Sequence, residues 1–486
     1  MKEQYLDTYF FDSKLALEVA LQKNRVETQN PVVKGLQICY YNGDKLKKAP
    51  KNCIHLPLDN IYSYFVKTNN RFPKFVSFQK TNFTIGDQKA FNAKMAEILN
   101  FAINKNRMLV EKYKKKVKKN KPDFSEKVLR VFVPACRETV VMQYIAKSVA
   151  RAFKNQGCDV KYYIQKNDME FCGALDNLKA QYKFNPHITF NINHLNNDYI
   201  HKDVINFTWF QDPMTILTDS SKITLRKKDF LFHIIDGFRV LLNEKGINSS
   251  FQSFCLDENV YKLRPKIKRE KKIIFVGTSY KEKIKELKQD THFNTIYDEM
   301  LKRFEEKSCL TNITLPNSDI QYFMDKYNKE EFYIGRIYAY LIRDYCLEKL
   351  CSLPNIKYKI EVYGYGWEDN EIINKFYKGP ISYGKDLSKI YNSATYAYCP
   401  GAYLIMQRTL EAAGSGAIPL MLDVREDKLE KYDKEIEKSL KLFDIKDLEL
   451  VLKSSKKVKR DLSVIVEKYS YNKFTKKMLA TAKKLH

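Results

Sequence analysis

Apolar runs of strand length recur from Val128 onward, and stretches with helical spacing of apolar positions separate most of them. VLRVFVPA (128–135) is followed by MQYIAKSVARAFKNQG (142–157), and DVKYYI (159–164) by ALDNLKAQYKF (174–184). HITFNINH (187–194), VINFTWF (204–210) and DFLFHI (229–234) come after. Short strands alternating with helices predict βαβ units and a parallel sheet over residues 125–255. After a basic linker, RPKIKREKK (264–272), the pattern restarts with KIIFVGTSY (272–280). Helical stretches fill 283–350. KYKIEVYGYG (357–366), TYAYCP (395–400) and AIPLML (417–422) then read as strands, and DNEIINKF (369–376) reads as a helix. The expected fold is α/β, with two Rossmann-like domains, 125–255 and 256–455, facing each other across a cleft. Residues 456–486 read as one or two basic amphipathic helices.

Residues 1–124 form an accessory region of α+β character. It has a helix candidate at SKLALEVALQK (13–23), strand-like pieces at GLQICYY (35–41) and CIHLPL (53–58), and a long polar helix from Asp87 to Lys116. A lysine run, KYKKKVKKNKPD (112–123), closes it as a solvated helix end and linker, with Pro122 as the breaker.

Composition narrows the class. The chain has 486 residues, of which 44 % are hydrophobic, enough for sizeable cores. It contains no unbroken apolar window long enough to span a bilayer. Its first residues, MKEQYLDTYFFDSK, lack the basic-then-apolar order of a secretory signal, so a cytoplasmic location is expected. The ten cysteines are scattered without a CxxC and read as buried free thiols. A formal net charge of +27 fits a nucleic acid, an anionic membrane or a phosphorylated substrate equally, and it also fits a lysine-rich composition with no partner at all. Lysine outnumbers arginine in the basic runs, which weakens base reading, since arginine makes the bidentate contacts to bases.

The chemistry concentrates at YCPGAYLIMQRTLEAAGSGAIPLML (398–422). An apolar run ends in Pro-Gly, and a short helix from about Met406 to Gly414 follows. Helix N-terminal amides at a strand end favour an anion such as a diphosphate. Arg408 in the first turn can add a charge-assisted contact, and Glu411 lies on the same face. The bland alternative is an Arg–Glu pair on an ordinary surface helix. Gly277 follows the first strand of the second domain, where backbone can approach phosphate closely, with Lys281 nearby; a simple turn is the alternative. Gly364, Gly366 and Trp367 follow another strand and offer either a stacking surface for a base or a packed tryptophan beside a turn. Tyr383 can pave the same pocket. In the first domain, Asp212 in WFQDP is the leading candidate for a base that activates an acceptor hydroxyl, and Glu138 in CRETVV is the second, with Arg137 beside it. His194 and His201 are outside candidates. With no Asp-x-Asp in the chain, no metal ion is expected, and no cofactor beyond a nucleotide-sugar substrate.

These segments resemble the donor-site motif of GT-B glycosyltransferases. They are most similar to the glycosyltransferase family 1/4-like group that includes the spore-maturation CgeB proteins. The matching residues are Ile390-Tyr391-Asn392-Ser393-Ala394, Arg408, Glu411-Ala412-Ala413 and Gly416, together with VYGYGW, Gly379, VGTSY and NFTWFQDP. The likeness covers roughly 128–455. It implies metal-independent transfer of a sugar from a nucleotide sugar held by the second domain to a glycan, lipid-linked or protein acceptor of bacterial surface glycosylation. Arg408 would stabilise the leaving phosphate and Glu411 orient the ribose. Many retaining members carry Glu-x7-Glu, and here Tyr403 stands at the first of those places, so the stereochemistry stays open. The loop GAYLI around Tyr403 can instead present backbone amides. The alternatives are a GT-B-like sugar-nucleotide epimerase, a basic nucleic-acid-binding protein, and an inactive scaffold. Specific nucleic-acid binding is not expected. Basic helices at 454–486 and the lysine run offer a route to peripheral attachment on anionic lipid.

Overall fold

A computed structural model describes residues 7–11, 36–40, 53–55, 73–75, 85–135, 140–164, 174–212, 214, 217, 223–307, 310, 319–403, 405–425, 434–454 and 463–485. The helix expected at 13–23 and the candidates Glu138 and Arg137 lie outside them.

The accessory region contributes β1 (Asp7–Phe11), β2 (Leu36–Tyr40), β3 (Cys53–His55) and β4 (Pro73–Phe75), ordered β3-β2-β1-β4 and all parallel. Helix α1 (Ile85–Lys119) runs from it to the first Rossmann-like sheet. Its lysine-rich end is not simply solvated: Val117 is buried, and Lys116 lies over the rings of Tyr113 and Tyr182.

The first large sheet holds β5 (Arg130–Pro134), β6 (Asp159–Tyr163), β7 (Ile188–Ile192), β8 (Ile205–Phe210), β9 (Asp229–His233) and β10 (Ser250–Phe251), in the order β10-β9-β8-β7-β5-β6. Every pairing is parallel. Strand β8, INFTWF, is buried at every position, because helices cover both faces; a strand so placed must be apolar throughout or spend its polar groups internally. Asn206 does the latter, accepting from Thr189 and Asn191 at 2.8 Å and donating to the Leu195 carbonyl at 2.9 Å. Helices α2 (Val140–Asn155), α3 (Ala174–Phe184) and α4 (Asp236–Asn243) belong to this domain.

The second sheet holds β11 (Glu270–Val276), β12 (Lys359–Tyr363), β13 (Ala394–Tyr398), β14 (Ile418–Leu422) and β15 (Lys441–Phe443), in the order β12-β11-β13-β14-β15, again all parallel. The short β15 was not expected, being only three residues long. The segment 369–376, expected as a helix, forms only a single 3-10 turn at Ile373–Phe376. Helices α5 (Lys281–Lys285), α6 (Phe293–Lys307), α7 (Asp319–Tyr327), α8 (Glu331–Tyr340) and α9 (Cys346–Ser352) follow β11, with a π-helical turn at Leu341–Tyr345 joining the last two. Then come α10 (Lys385–Ser393), α11 (Gln407–Gly414), α12 (Lys434–Glu437), α13 (Leu448–Lys453), α14 (Ser463–Lys468) and α15 (Tyr471–Lys483).

In both sheets the chain starts in the interior, steps to one edge, then returns and builds the other side. The direction reverses between β5 and β7 and between β11 and β13. Ligands of open parallel sheets bind beyond the strand C-termini at such a point. Asn193 lies at the end of β7 and Gly277, with Arg408 against it, at the end of β11, while Asp212 is one strand further out, at the end of β8.

The last helix crosses back. α15 follows the second sheet in sequence, yet Tyr471, Phe474, Met478 and Ala482 are buried in the core of the first. Phe474 sits 5.1 Å from the Trp209 ring and 5.0 Å from Phe232. The apolar face read as amphipathic is therefore spent on protein, which leaves a lysine-bearing face for any other surface. Among the described residues no helix is long and apolar enough to cross a membrane, and the five described cysteines are buried and unpaired.

Phe474→Ala should lower the unfolding free energy by about 3–5 kcal/mol, since a filled aromatic site becomes a cavity. Urea unfolding followed by Trp209 fluorescence measures it. A loss below about 1 kcal/mol contradicts this docking.

Candidate active site

The second domain's site begins where β11 leaves the sheet. The Gly277 amide donates to the Tyr363 carbonyl and the Ser279 amide to Tyr365, each at 2.9 Å, so the loop continues the ladder with β12. Asp344, from the π-helical turn, is buried and pins the same loop: its carboxylate accepts from the Ser279 hydroxyl and, at 3.0 and 3.1 Å, from the Tyr280 amide. Burial raises its carboxyl above the ordinary range, and those hydrogen bonds oppose the shift.

Arg408 lies in the first turn of α11. A methyl group added at Gly277 would stand 2.9 Å from its Nη1, so the guanidinium rests against bare backbone at the switch point. Among the described residues Arg408 forms no ion pair. A second arginine, Arg343, reaches the next residue of the loop: its Nη1 donates to the Thr278 carbonyl at 3.1 Å and its Cζ sits 3.9 Å over the Tyr280 ring. Burial first, and then repulsion from Arg408, hold the Arg343 guanidinium down to about 10.

Several expected contacts are corrected here. Trp367 is 1 % exposed and its indole donates to the Gly277 carbonyl at 2.7 Å, so it braces the loop and offers no face to a base. Gly364, at φ +135°, is required because a side chain there would strike the Gly277 carbonyl at 2.1 Å. Gly366, also at positive φ, packs against Ser279 and Lys281. Both serve loop-on-loop packing. Lys281 pairs with Asp369 at 2.7 Å on the surface. Asn392 of the IYNSA segment is buried and ties down the interdomain linker, donating to the Lys262 carbonyl and accepting from the Arg264 amide. Tyr403 packs against the core of the first domain.

Glu411 is fully buried rather than open to a ribose. Its Oε1 accepts from the Tyr383 hydroxyl and from Gln407 Nε2 at 2.8 Å, while Oε2 is buried without a partner. Desolvation pushes its carboxyl up to about 7 against those hydrogen bonds. Tyr383 thus plugs the carboxylate instead of lining a base pocket, and its ring lies 4.6 Å from Tyr144 of α2 in the other domain.

In the first domain Asp212 is exposed at the end of β8. Asn193, buried at the end of β7, holds it: Nδ2 donates to Asp212 Oδ2 at 2.7 Å, and Oδ1 accepts from the amides of Gln211 and Asp212 at 2.7 and 3.2 Å. Asn193 also lies 3.7 Å from Met142 Sδ, while Tyr144 meets Tyr383. The N-terminal part of α2 therefore touches both half-sites. His201 is buried and accepts from the Asp203 amide, a structural role, and His194 is exposed beside Asn193. Among the described residues no group of acidic, histidine and cysteine side chains is placed to hold a metal ion.

No family model and no curated protein matches this chain. Solved structures with a similar arrangement include Anabaena HepE in complex with UDP-glucose, at 8 % identity and TM-score 0.42 over 73 % of this chain and 100 % of that one. The glycosyltransferase SnogD from Streptomyces nogalater aligns at 10 % identity and TM-score 0.35, over 73 % and 100 %. The spinosyn forosaminyltransferase SpnP aligns at 9 % and 0.36, over 74 % and 100 %. A likeness at this level assigns neither a family nor a substrate. The chain itself shows two parallel sheets and a last helix that returns to the core of the first.

Because Glu411 titrates higher when folded, the folded state holds its proton between the ordinary carboxylate range and about 7. The stability this gives is present at low pH and lost as pH rises through that interval. Relative to Glu411→Gln, wild type should lose about 3 kcal/mol of unfolding free energy between pH 5 and pH 8. A difference flat with pH contradicts the burial.

Proposed function

We propose that the chain is a GT-B glycosyltransferase that moves a sugar from a nucleotide sugar to an acceptor hydroxyl. The observation that carries this is Arg408: a guanidinium without an ion pair among the described residues, in the first turn of α11, against the Gly277 backbone at the reversal point of the second sheet. Transfer from a nucleotide sugar breaks a bond to phosphate, so negative charge grows on the leaving oxygen. A fixed guanidinium and helix amides stabilise that charge without reorganising during the reaction. The role a divalent ion plays elsewhere is filled here by these groups.

Asp212 is the base in this reading. Asn193 fixes its carboxylate and leaves it exposed at the C-terminal end of β8, where an acceptor hydroxyl can lose its proton to it. The N-terminal part of α2, through Met142 and Tyr144, lies against both half-sites. A cell-surface glycan, a lipid-linked sugar or a protein is the acceptor class, with the lysine-bearing surface of α1 and α15 available to anionic lipid.

Nucleoside diphosphates should raise the melting temperature of wild type and not of Arg408→Ala. Arg408→Ala should keep the wild-type melting temperature without ligand within a few degrees and lower turnover by about 10²-fold or more. Equal turnover in the two proteins overturns the assignment.

A further inference from the structure

We propose that the edge of the first large sheet at its strand N-termini, together with the end of α1, is a docking surface for an anionic lipid bilayer. This does not depend on the role of Arg408.

The end of α1 is fastened to that edge. Asn120 Nδ2 donates to the Tyr182 carbonyl at 3.0 Å, and Asn185 Nδ2 donates to the Lys121 carbonyl at 3.1 Å. Residues 182–187 lead from α3 into the start of β7, so Lys118, Lys119 and Lys121 stand at the N-terminal edge. Lys127 precedes β5, Lys202 precedes β8 and Lys227 precedes β9 at the same edge. All six lysines are exposed, and among the described residues none of them forms an ion pair. Acids of this edge are already engaged. Glu126 pairs with Arg130, Asp229 pairs with Arg226, and Asp123 accepts from the amide and hydroxyl of Ser125. Like charges held on one edge repel one another, and an opposed anionic surface relieves that repulsion.

Two observations favour lipid over nucleic acid. First, exposed apolar side chains stand among the lysines: Val128 is 46 % exposed, Tyr182 39 % and Leu225 37 %. The boundary between headgroups and acyl chains takes up such side chains together with basic ones. Second, the guanidinium forks that read phosphate and base edges are spent on protein. Arg130 donates to Glu126 and to the Asn185 carbonyl, and Arg226 to Asp229 and the carbonyls of His201 and Val204. Lysine is a point charge without a fixed fork, which suits a fluid layer of headgroups. A bilayer at this edge leaves the C-terminal strand ends, where Asp212 is exposed, turned away from the lipid.

Co-sedimentation with phosphatidylcholine vesicles, with and without about 30 % phosphatidylglycerol, tests this. Wild type should bind the anionic vesicles about tenfold or more tightly than the neutral ones, and high salt should release it. The triple variant Lys118→Gln, Lys119→Gln, Lys121→Gln should lower that affinity by about tenfold or more, since each lysine near the surface contributes roughly fivefold. Val128→Ser with Leu225→Ser should lower it about threefold while leaving binding to a DNA duplex unchanged. Lys476→Gln with Lys483→Gln, on the exposed face of α15, should match wild type. Equal binding of wild type to both kinds of vesicle overturns the proposal. So does loss of vesicle binding in the α15 variant and not in the α1 variant, or a DNA duplex held more tightly than the anionic vesicles through the same three lysines. Thermal stabilisation by a nucleoside diphosphate should be equal in wild type and in all these variants, so failure of the lipid surface leaves the Arg408 site standing.

Discussion

The site at the end of β11 depends on how closely a guanidinium can approach a peptide backbone. Arg408 reaches the Gly277 loop because that residue has no side chain. The loop is there to be reached because Asp344, Trp367 and the β12 backbone hold it in an extended path. Gly364 is needed one layer further out, since any side chain there would strike the Gly277 carbonyl. The surrounding packing thus serves to present fixed positive charge at the reversal point of a parallel sheet. Catalysis of phosphate departure is cheapest when such charge is already in place.

The two halves are tied by contacts of different kinds. α15 buries an aromatic face in the first core and is not easily detached. Arg151 of α2 pairs with Asp257 of the linker, and Gln156 reaches the backbone of Asn472 at 3.1 Å. Across the boundary itself, Tyr383 is shared between Tyr144 and Glu411. That last contact places a buried acid directly behind the boundary.

Much of this was legible in the sequence where function lies in short-range pattern. Apolar runs alternating with amphipathic stretches place both sheets, and Arg408 and Asp212 stand out because each follows a strand end. What was hidden depends on long-range contact. Arg343 sits in a helix whose residue pattern shows nothing unusual, and only the π-helical turn and the loop 65 positions away give it a role. Trp367 follows a strand as a stacking residue would, but the Gly277 carbonyl claims its indole. Glu411 reads as an exposed acid on a helix face until Tyr383, from a separate loop, covers it. The return of α15 is invisible for a similar reason: amphipathicity announces a buried face without saying against what.

The central claim is that phosphate is held between Arg408 and the loop after β11. A crystal structure of the chain grown with a nucleoside diphosphate tests it most directly. The account predicts phosphate oxygens within hydrogen-bond distance of the Arg408 guanidinium, beside Gly277 and Thr278. Diphosphate found instead along the lysine run of α1 or on α15, with Arg408 untouched, would contradict it.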